Sequence, residues 1–157
     1  WHEIVGYNCR MTNIQAAIGL AQMERIERFI KNKRDLANEY LKRFENINHI
    51  TQPPEAYWAF NTYWLYTILI GPNFSMSRDE IISLMSFNEI ETRPVFYPLH
   101  IMPIYQKYTL DKKFPNSQLI SKQGLCLPSA YSTSNKDIEK VVNVFKTILL
   151  EKDLIKN

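Results

Sequence analysis

The chain has 157 residues, 45% hydrophobic and 22% charged, with 19 basic and 16 acidic side chains and a net charge of +3. That is enough apolar material for a globular core, and so small a basic excess argues against a nucleic-acid binder or a membrane-surface protein. No apolar run approaches the roughly 18 residues of a membrane span, and no charged-then-apolar start suggests a signal peptide. The two cysteines, Cys9 and Cys126, form no C-x-x-C pair, so a zinc or redox motif is not expected and a reduced, cytoplasmic protein is. Four glycines, at 6, 19, 71 and 124, cannot build a G-x-G-x-x-G or Walker loop.

Residues 1–11 read as an extended or turned lead-in. Thr12 followed by Gln15 fits a capping box, in which the hydroxyl takes one orphan amide and the amide side chain reaches back to another. From Thr12 to about Phe44 the pattern is helical, with apolar positions at Ile14, Ile18, Ala21, Ile26, Ile30 and on to Leu36, Ala37, Tyr40, Leu41 and Phe44. Gly19 inside this run costs about 1 kcal/mol against Ala, which calls for the close approach of another backbone. One straight helix here would be roughly 50 Å long, so a break is predicted near Lys31–Arg34. The block Lys31-Asn32-Lys33-Arg34 reads as a solvated helix face.

Residues 46–56 form a connector with a short strand at Ile50-Thr51, stopped by Pro53-Pro54. Tyr63–Ile70 is the strongest strand signal, β-branched and aromatic, turned by Gly71-Pro72-Asn73. Trp58 and Trp64 read as core or interface residues. Ser77 and Glu80 form a second capping box for a helix to about Phe87. Glu91–Phe96 is a strand broken by Pro94 at an edge or bulge. A turn at Pro98-Leu99-His100, a short helix over Met102–Tyr108 and a loop over Asp111–Asn116 follow. Ser117–Gln123 is helical and ends on Gly124 as its C′ residue. Leu125-Cys126-Leu127 is a strand stopped by Pro128, with Cys126 as a small buried hydrophobe. The last helix starts at Ser134-Asn135 and frays from Lys152. The predicted fold is a two-layer α/β (α+β) domain with a small, mainly antiparallel sheet, divided into a lead-in turn and long connecting helix (1–45) and a small domain (46–157).

The stretch Gly6-Tyr7-Asn8-Cys9-Arg10-Met11-Thr12 through Gln15-Ala16-Ala17 and Gly19-Leu20 to Gln22 resembles a characteristic segment of the DegT/StrS-type pyridoxal-phosphate sugar aminotransferases of fold type I. Cys9 stands where that pattern usually has an aromatic residue. Glu91-Thr92-Arg93-Pro94 through Tyr97-Pro98-Leu99-His100 is similar to a second segment, Leu125–Ser129 to a third, and Asn135–Leu149 to the closing helix. In the family the first segment lies well inside the chain; here it stands near the start, and the chain begins with Trp1, so a C-terminal fragment is expected.

The resemblance implies, for the whole enzyme, amination of a nucleotide-linked keto sugar with glutamate or glutamine as donor, pyridoxal phosphate (PLP) as cofactor and a homodimer sharing its active site. The amino sugar would serve surface polysaccharide, glycoprotein or antibiotic synthesis. The Schiff-base lysine and the acid that pairs with the pyridine nitrogen lie upstream in the family, so this chain is expected to hold no catalytic residue, to bind no PLP alone and to be inactive. Lys31, Lys33 and Lys42 carry no mark of a depressed pKa. By position, Asn8 and Arg10 would hold cofactor phosphate across the dimer interface, and His100 would approach the sugar nucleotide. Arg93 reads as a structural ion-pair residue, His2 and His49 as structural or exposed, and Ser129 lacks the partners of a nucleophile. No metal site is expected. Two rival readings are a non-catalytic interaction or dimerisation module with exposed apolar faces, and an RNA-binding domain with an aromatic strand, which the small net charge opposes.

Overall fold

The computed structural model describes residues 3, 6–72, 74, 76–109 and 112–154. The expectations for Trp1, His2, Asn73, Asp111 and residues 155–157 lie outside these. In chain order the elements are α1 (Asn13–Met23), α2 (Ile26–Arg43), β1 (Ile50–Thr51), β2 (Tyr66–Ile70), α3 (Arg78–Phe87) and β3 (Arg93–Pro94). A 3₁₀ turn (Leu99–Ile101), α4 (Pro103–Gln106), α5 (Pro115–Gln123), β4 (Gly124–Leu127) and α6 (Asn135–Leu154) follow. The four strands pair antiparallel in the order β1-β2-β4-β3, with Thr51 opposite Leu69, Ile68 opposite Leu125 and Arg93 opposite Cys126. The small antiparallel sheet with helices matches the sequence-based expectation.

Period-two alternation in β2 turns Tyr66, Ile68 and Ile70 to one face. Leu36, Ala37 and Tyr40 of α2 with Phe44 at its C-cap, Ile81 and Met85 of α3, and Ile138, Val142 and Phe145 of α6 join them in one core. Full burial of each large side chain is worth about 1.5–3 kcal/mol. Tyr40 stacks on Tyr66 at 4.6 Å, Phe145 meets Phe44 edge-on at 5.5 Å, and the Tyr40 hydroxyl donates to the Pro128 carbonyl at 2.8 Å. Both capping boxes form, at Thr12–Gln15 and Ser77–Glu80. Ser134 and Asp137 close a third: the Ser134 N–H donates to Asp137 Oδ2 at 2.8 Å and the Asp137 N–H to Ser134 Oγ at 3.3 Å.

The helical run breaks at Glu24–Arg25, not near Lys31–Arg34. There the Arg25 N–H turns to the Gln22 carbonyl at 3.1 Å, and Arg25 Nε takes up the Ala21 carbonyl at 3.2 Å, which makes the break inexpensive in hydrogen bonds. Lys31–Arg34 stays helical because two of its side chains are tied down, and the reading of a solvated face fails for them. Lys33 Nζ donates to the Trp64 carbonyl at 2.8 Å and to the Ser129 carbonyl. Arg34 forks onto Glu55 at 2.7 and 3.0 Å and donates to the Asn61 carbonyl at 2.6 Å. Lys31 alone behaves as predicted, paired in solvent with Asp35 at 2.5 Å.

Strand β2 begins at Tyr66, three residues later than predicted. Asn61 Oδ1 accepts the Tyr63 N–H at 2.8 Å, and Tyr63 sits at φ 48°, so the chain is still turning there. Trp58 and Trp64 are 76% and 70% exposed, which removes the core reading for both. β3 is cut to two residues at the sheet edge, where Pro94 lacks a donor. Helix α5 starts at Pro115, inside the predicted loop, because proline is favoured in a first turn. Gly124 is extended (φ −75°), not a left-handed C′ residue. Space is the reason for glycine: a β-carbon there would stand 2.9 Å from Val95 Cβ and 2.5 Å from the Ile120 carbonyl. α6 runs to Leu154, beyond the predicted fraying point, since its buried Ile148 and Leu149 anchor the preceding turn.

Candidate functional site

Asn8 and Arg10 lie in the exposed segment that leads into α1. Asn8 Oδ1 accepts the Arg10 backbone N–H at 3.1 Å, a local turn that presents the guanidinium just ahead of the Thr12 cap. Among the described residues no partner engages the Arg10 side chain. A guanidinium beside a helix N-terminus suits a phosphate. None of the residues of α1 is buried: Ile14 and Ile18 are 74% and 60% exposed, and a β-carbon on Gly19 would meet nothing within 4 Å. The backbone approach expected at Gly19 is not made among the described residues.

His100 sits elsewhere, in the 3₁₀ turn, half-buried. Its ring stacks on Phe114 at 4.6 Å, and Nε2 lies 3.2 Å from Gln118 Nε2. Those contacts fix the ring and leave Nδ1 without a hydrogen-bond partner among the described residues. No hydrogen bond or ring contact among the described residues joins His100 to Asn8 or Arg10. Arg93 pairs with Glu91 at 2.7 Å, as the sequence suggested, with both side chains exposed. Cys126 is buried, as expected, with Sγ 3.3 Å from Thr67 Oγ1. Ser129 Oγ accepts the Tyr66 N–H at 3.3 Å, and the His49 carbonyl accepts from Gly71 at 2.8 Å, both structural roles.

The feature that sequence reasoning missed is a cleft of about 830 Å³ between α2 and the β4 end of the sheet. Ile26, Phe29 and Ile30 form one wall, Trp64, Leu127 and Tyr131 line the other, and Lys33 reaches in beside Ser129. Burial holds the Lys33 ammonium below the usual lysine range. A lysine at i+3 and i+7 from Ile30 and Ile26 was the available signal, masked by its place in a basic block.

These residues can be tested against PLP. Arg10 and Asn8 fit its phosphate end. Lys33 does not fit as the lysine that carries the cofactor: both carbonyl bonds favour its charged form, and Glu91, the acid lining the same cleft, is bound to Arg93. Among the described residues no group of three or more His, Cys, Asp and Glu could hold a metal, and no helix is long and apolar enough to cross a membrane.

Comparison with known proteins places the chain in a family. Residues 1–146 match the DegT/DnrJ/EryC1/StrS aminotransferase family. The chain is 37% identical to GDP-perosamine synthase of Vibrio cholerae over 93% of its own length and 40% of that protein. It is 44% identical to GDP-perosamine synthase of Escherichia coli O157:H7 over 88% of its length and 36% of that protein. The chain thus spans about two-fifths of the relatives it matches. In fold it is similar to Helicobacter pylori PseC, an aminotransferase of pseudoaminic acid biosynthesis (TM-score 0.83, 17% identity, 95% of this chain and 40% of that one). It is likewise similar to S. venezuelae DesV (TM-score 0.82, 22% identity, 95% and 39%). With a match that runs through all but its last residues, the chain belongs to the DegT/DnrJ/EryC1/StrS aminotransferase family.

Proposed function

We infer that the chain is the C-terminal portion of a PLP-dependent aminotransferase that converts a nucleotide-linked keto sugar to an amino sugar with glutamate as donor, and that alone it does not transaminate. The family match over residues 1–146, together with 37% and 44% identity to two GDP-perosamine synthases, carries this reading. PLP, when bound, supplies the electron sink for moving the amino group. This chain's own residues bind and orient. Arg10 gives a charge-assisted fork, and Asn8 an amide, to the cofactor phosphate. His100, its ring fixed by Phe114 and Gln118, faces the sugar nucleotide with its remaining nitrogen. The apolar flank of α1, bare in the single chain, is the surface for a homodimer that brings Arg10 to the second subunit's cofactor. The commitment of Lys33 to two carbonyls supports inactivity of the chain alone.

The test has two arms. In the complete enzyme, Arg10→Ala should weaken PLP binding about 10- to 100-fold, the loss of a charge-assisted bond worth ~1.5–3 kcal/mol, and His100→Ala should raise KM for the sugar nucleotide more than it lowers kcat. In the 157-residue chain, PLP followed by borohydride should label no single lysine. Stoichiometric labelling of one lysine, or unchanged PLP affinity in Arg10→Ala, refutes the assignment.

A further inference from the structure

The cleft beside Lys33 has no part in the roles given to Arg10, Asn8 and His100. Its walls are mostly apolar, from Ile26, Phe29 and Ile30 on α2 across to Leu127 and Tyr131. An ammonium has three N–H donors, and Lys33 spends two of them on the Trp64 and Ser129 carbonyls. Both acceptors are neutral, so among the described residues the charge has no counter-ion. Glu91 lines the cleft but is held by Arg93 at 2.7 Å. A partly buried cation without an anion is costly, and a carboxylate delivered to it with apolar neighbours would relieve that cost.

We propose that this cleft seats a segment of the same polypeptide from outside these 157 residues, which places an Asp or Glu carboxylate on Lys33 Nζ and apolar side chains against Ile26, Phe29 and Leu127. Three observations select that occupant. The chain spans 40% of the length of a relative to which it is 37% identical, so the greater part of such a protein lies elsewhere in the polypeptide. The cleft offers one uncompensated positive charge on an apolar floor, the complement of a single acidic side chain flanked by apolar ones. Desolvation already weighs on the Lys33 ammonium in the open cleft, so a neutralising partner has something to offset. The proposal rests on the reading of the chain as part of a longer aminotransferase.

Zero-length crosslinking of the full polypeptide tests it. A carbodiimide activates a carboxylate; the amine attacks the acyl carbon, the C–O bond breaks, and urea leaves as the isopeptide forms. Lys31 and Asp35, 2.5 Å apart on the surface, provide an internal control that should couple in every sample. The expected product links Lys33 to an Asp or Glu outside residues 1–157, and in a mixture of light and heavy protein it is intramolecular. Lys33→Arg keeps the charge, removes the reactive amine, and should abolish that product while the Lys31–Asp35 link remains. Four outcomes overturn the proposal: a Lys33 link to Glu91, a mixed light–heavy link to a second copy, a link that survives Lys33→Arg, and no Lys33 link where the control forms. The readout needs no turnover, so its failure leaves the aminotransferase reading standing.

Discussion

Gly124→Ala inverts an ordinary expectation. At φ −75° alanine is fully allowed, and replacing glycine at such a position normally stabilises by about 0.4–1 kcal/mol through the unfolded chain. Here the added β-carbon meets two neighbours: it would lie 2.9 Å from Val95 Cβ, overlapping that side chain, and 2.5 Å from the Ile120 carbonyl oxygen. A Val95 methyl that also crowds the site can rotate away, but the Val95 Cβ is fixed to its backbone and cannot. The second neighbour is backbone, and it is the acceptor for the Gly124 N–H at the end of α5, so relief means shifting the helix end against β4. Overpacking of this kind costs about 1–3 kcal/mol, leaving a net loss of roughly 1–2 kcal/mol after the entropic gain. Urea unfolding should show a lower midpoint at unchanged slope, with Tm down by about 2–4 °C per kcal/mol. Adding Val95→Ala should restore only part of the loss, because the carbonyl clash remains. Stability equal to or above the parent in Gly124→Ala would show that the junction is loose and that the glycine is not there for space.

The Arg34 fork and the Asn61 N–H hold the Glu55 carboxyl down to about 2. Its contribution is therefore present above the unfolded carboxylate value near 4.3 and is lost as pH falls towards 2. Acidification through that window should release the 55–64 loop, read by Trp58 and Trp64 fluorescence, and Arg34→Met should flatten the transition; an unchanged profile in Arg34→Met would remove the latch. Tyr40→Phe deletes the buried hydroxyl that donates to the Pro128 carbonyl and leaves that acceptor unpaired. A loss of about 1–2 kcal/mol is expected in urea unfolding, and no measurable loss would mean that water reaches the carbonyl.

Local patterns were the legible part of the sequence. The capping boxes at Thr12 and Ser77 and the periodicity of α3 and α6 rest on residues within one or two turns, and all appear in the structure. The same holds for the brief strand at Ile50-Thr51. What escaped depends on contacts across the chain. Lys33 looks like its neighbour Lys31 until the Trp64 and Ser129 carbonyls are brought beneath it. The late start of β2 follows from an Asn61 side chain and a positive φ at Tyr63, which β-propensity does not record. Gly124 was read as a helix stop when its requirement comes from Val95, on the edge-strand side. Of the candidate site, Asn8, Arg10 and His100 follow from the resemblance alone; which partners hold each of them, such as Phe114 and Gln118 at His100, shows only in three dimensions. The Lys33 cleft is assembled from segments nearly a hundred residues apart, with no signature in any one of them.

The exposed α1 carries a consequence for the kinetics of assembly. An isolated helix of 11 residues is marginal in water, chiefly because its first turn is expensive to nucleate. α1 escapes that penalty at both ends: its start is closed by its own Thr12–Gln15 box, and its end abuts α2, whose later turns are pinned by the core. The arm is therefore pre-shaped before anything docks on it. Association along this flank would meet an ordered surface, not a coil that must first be wound. Its rate should then track encounter and desolvation, with little dependence on helix formation.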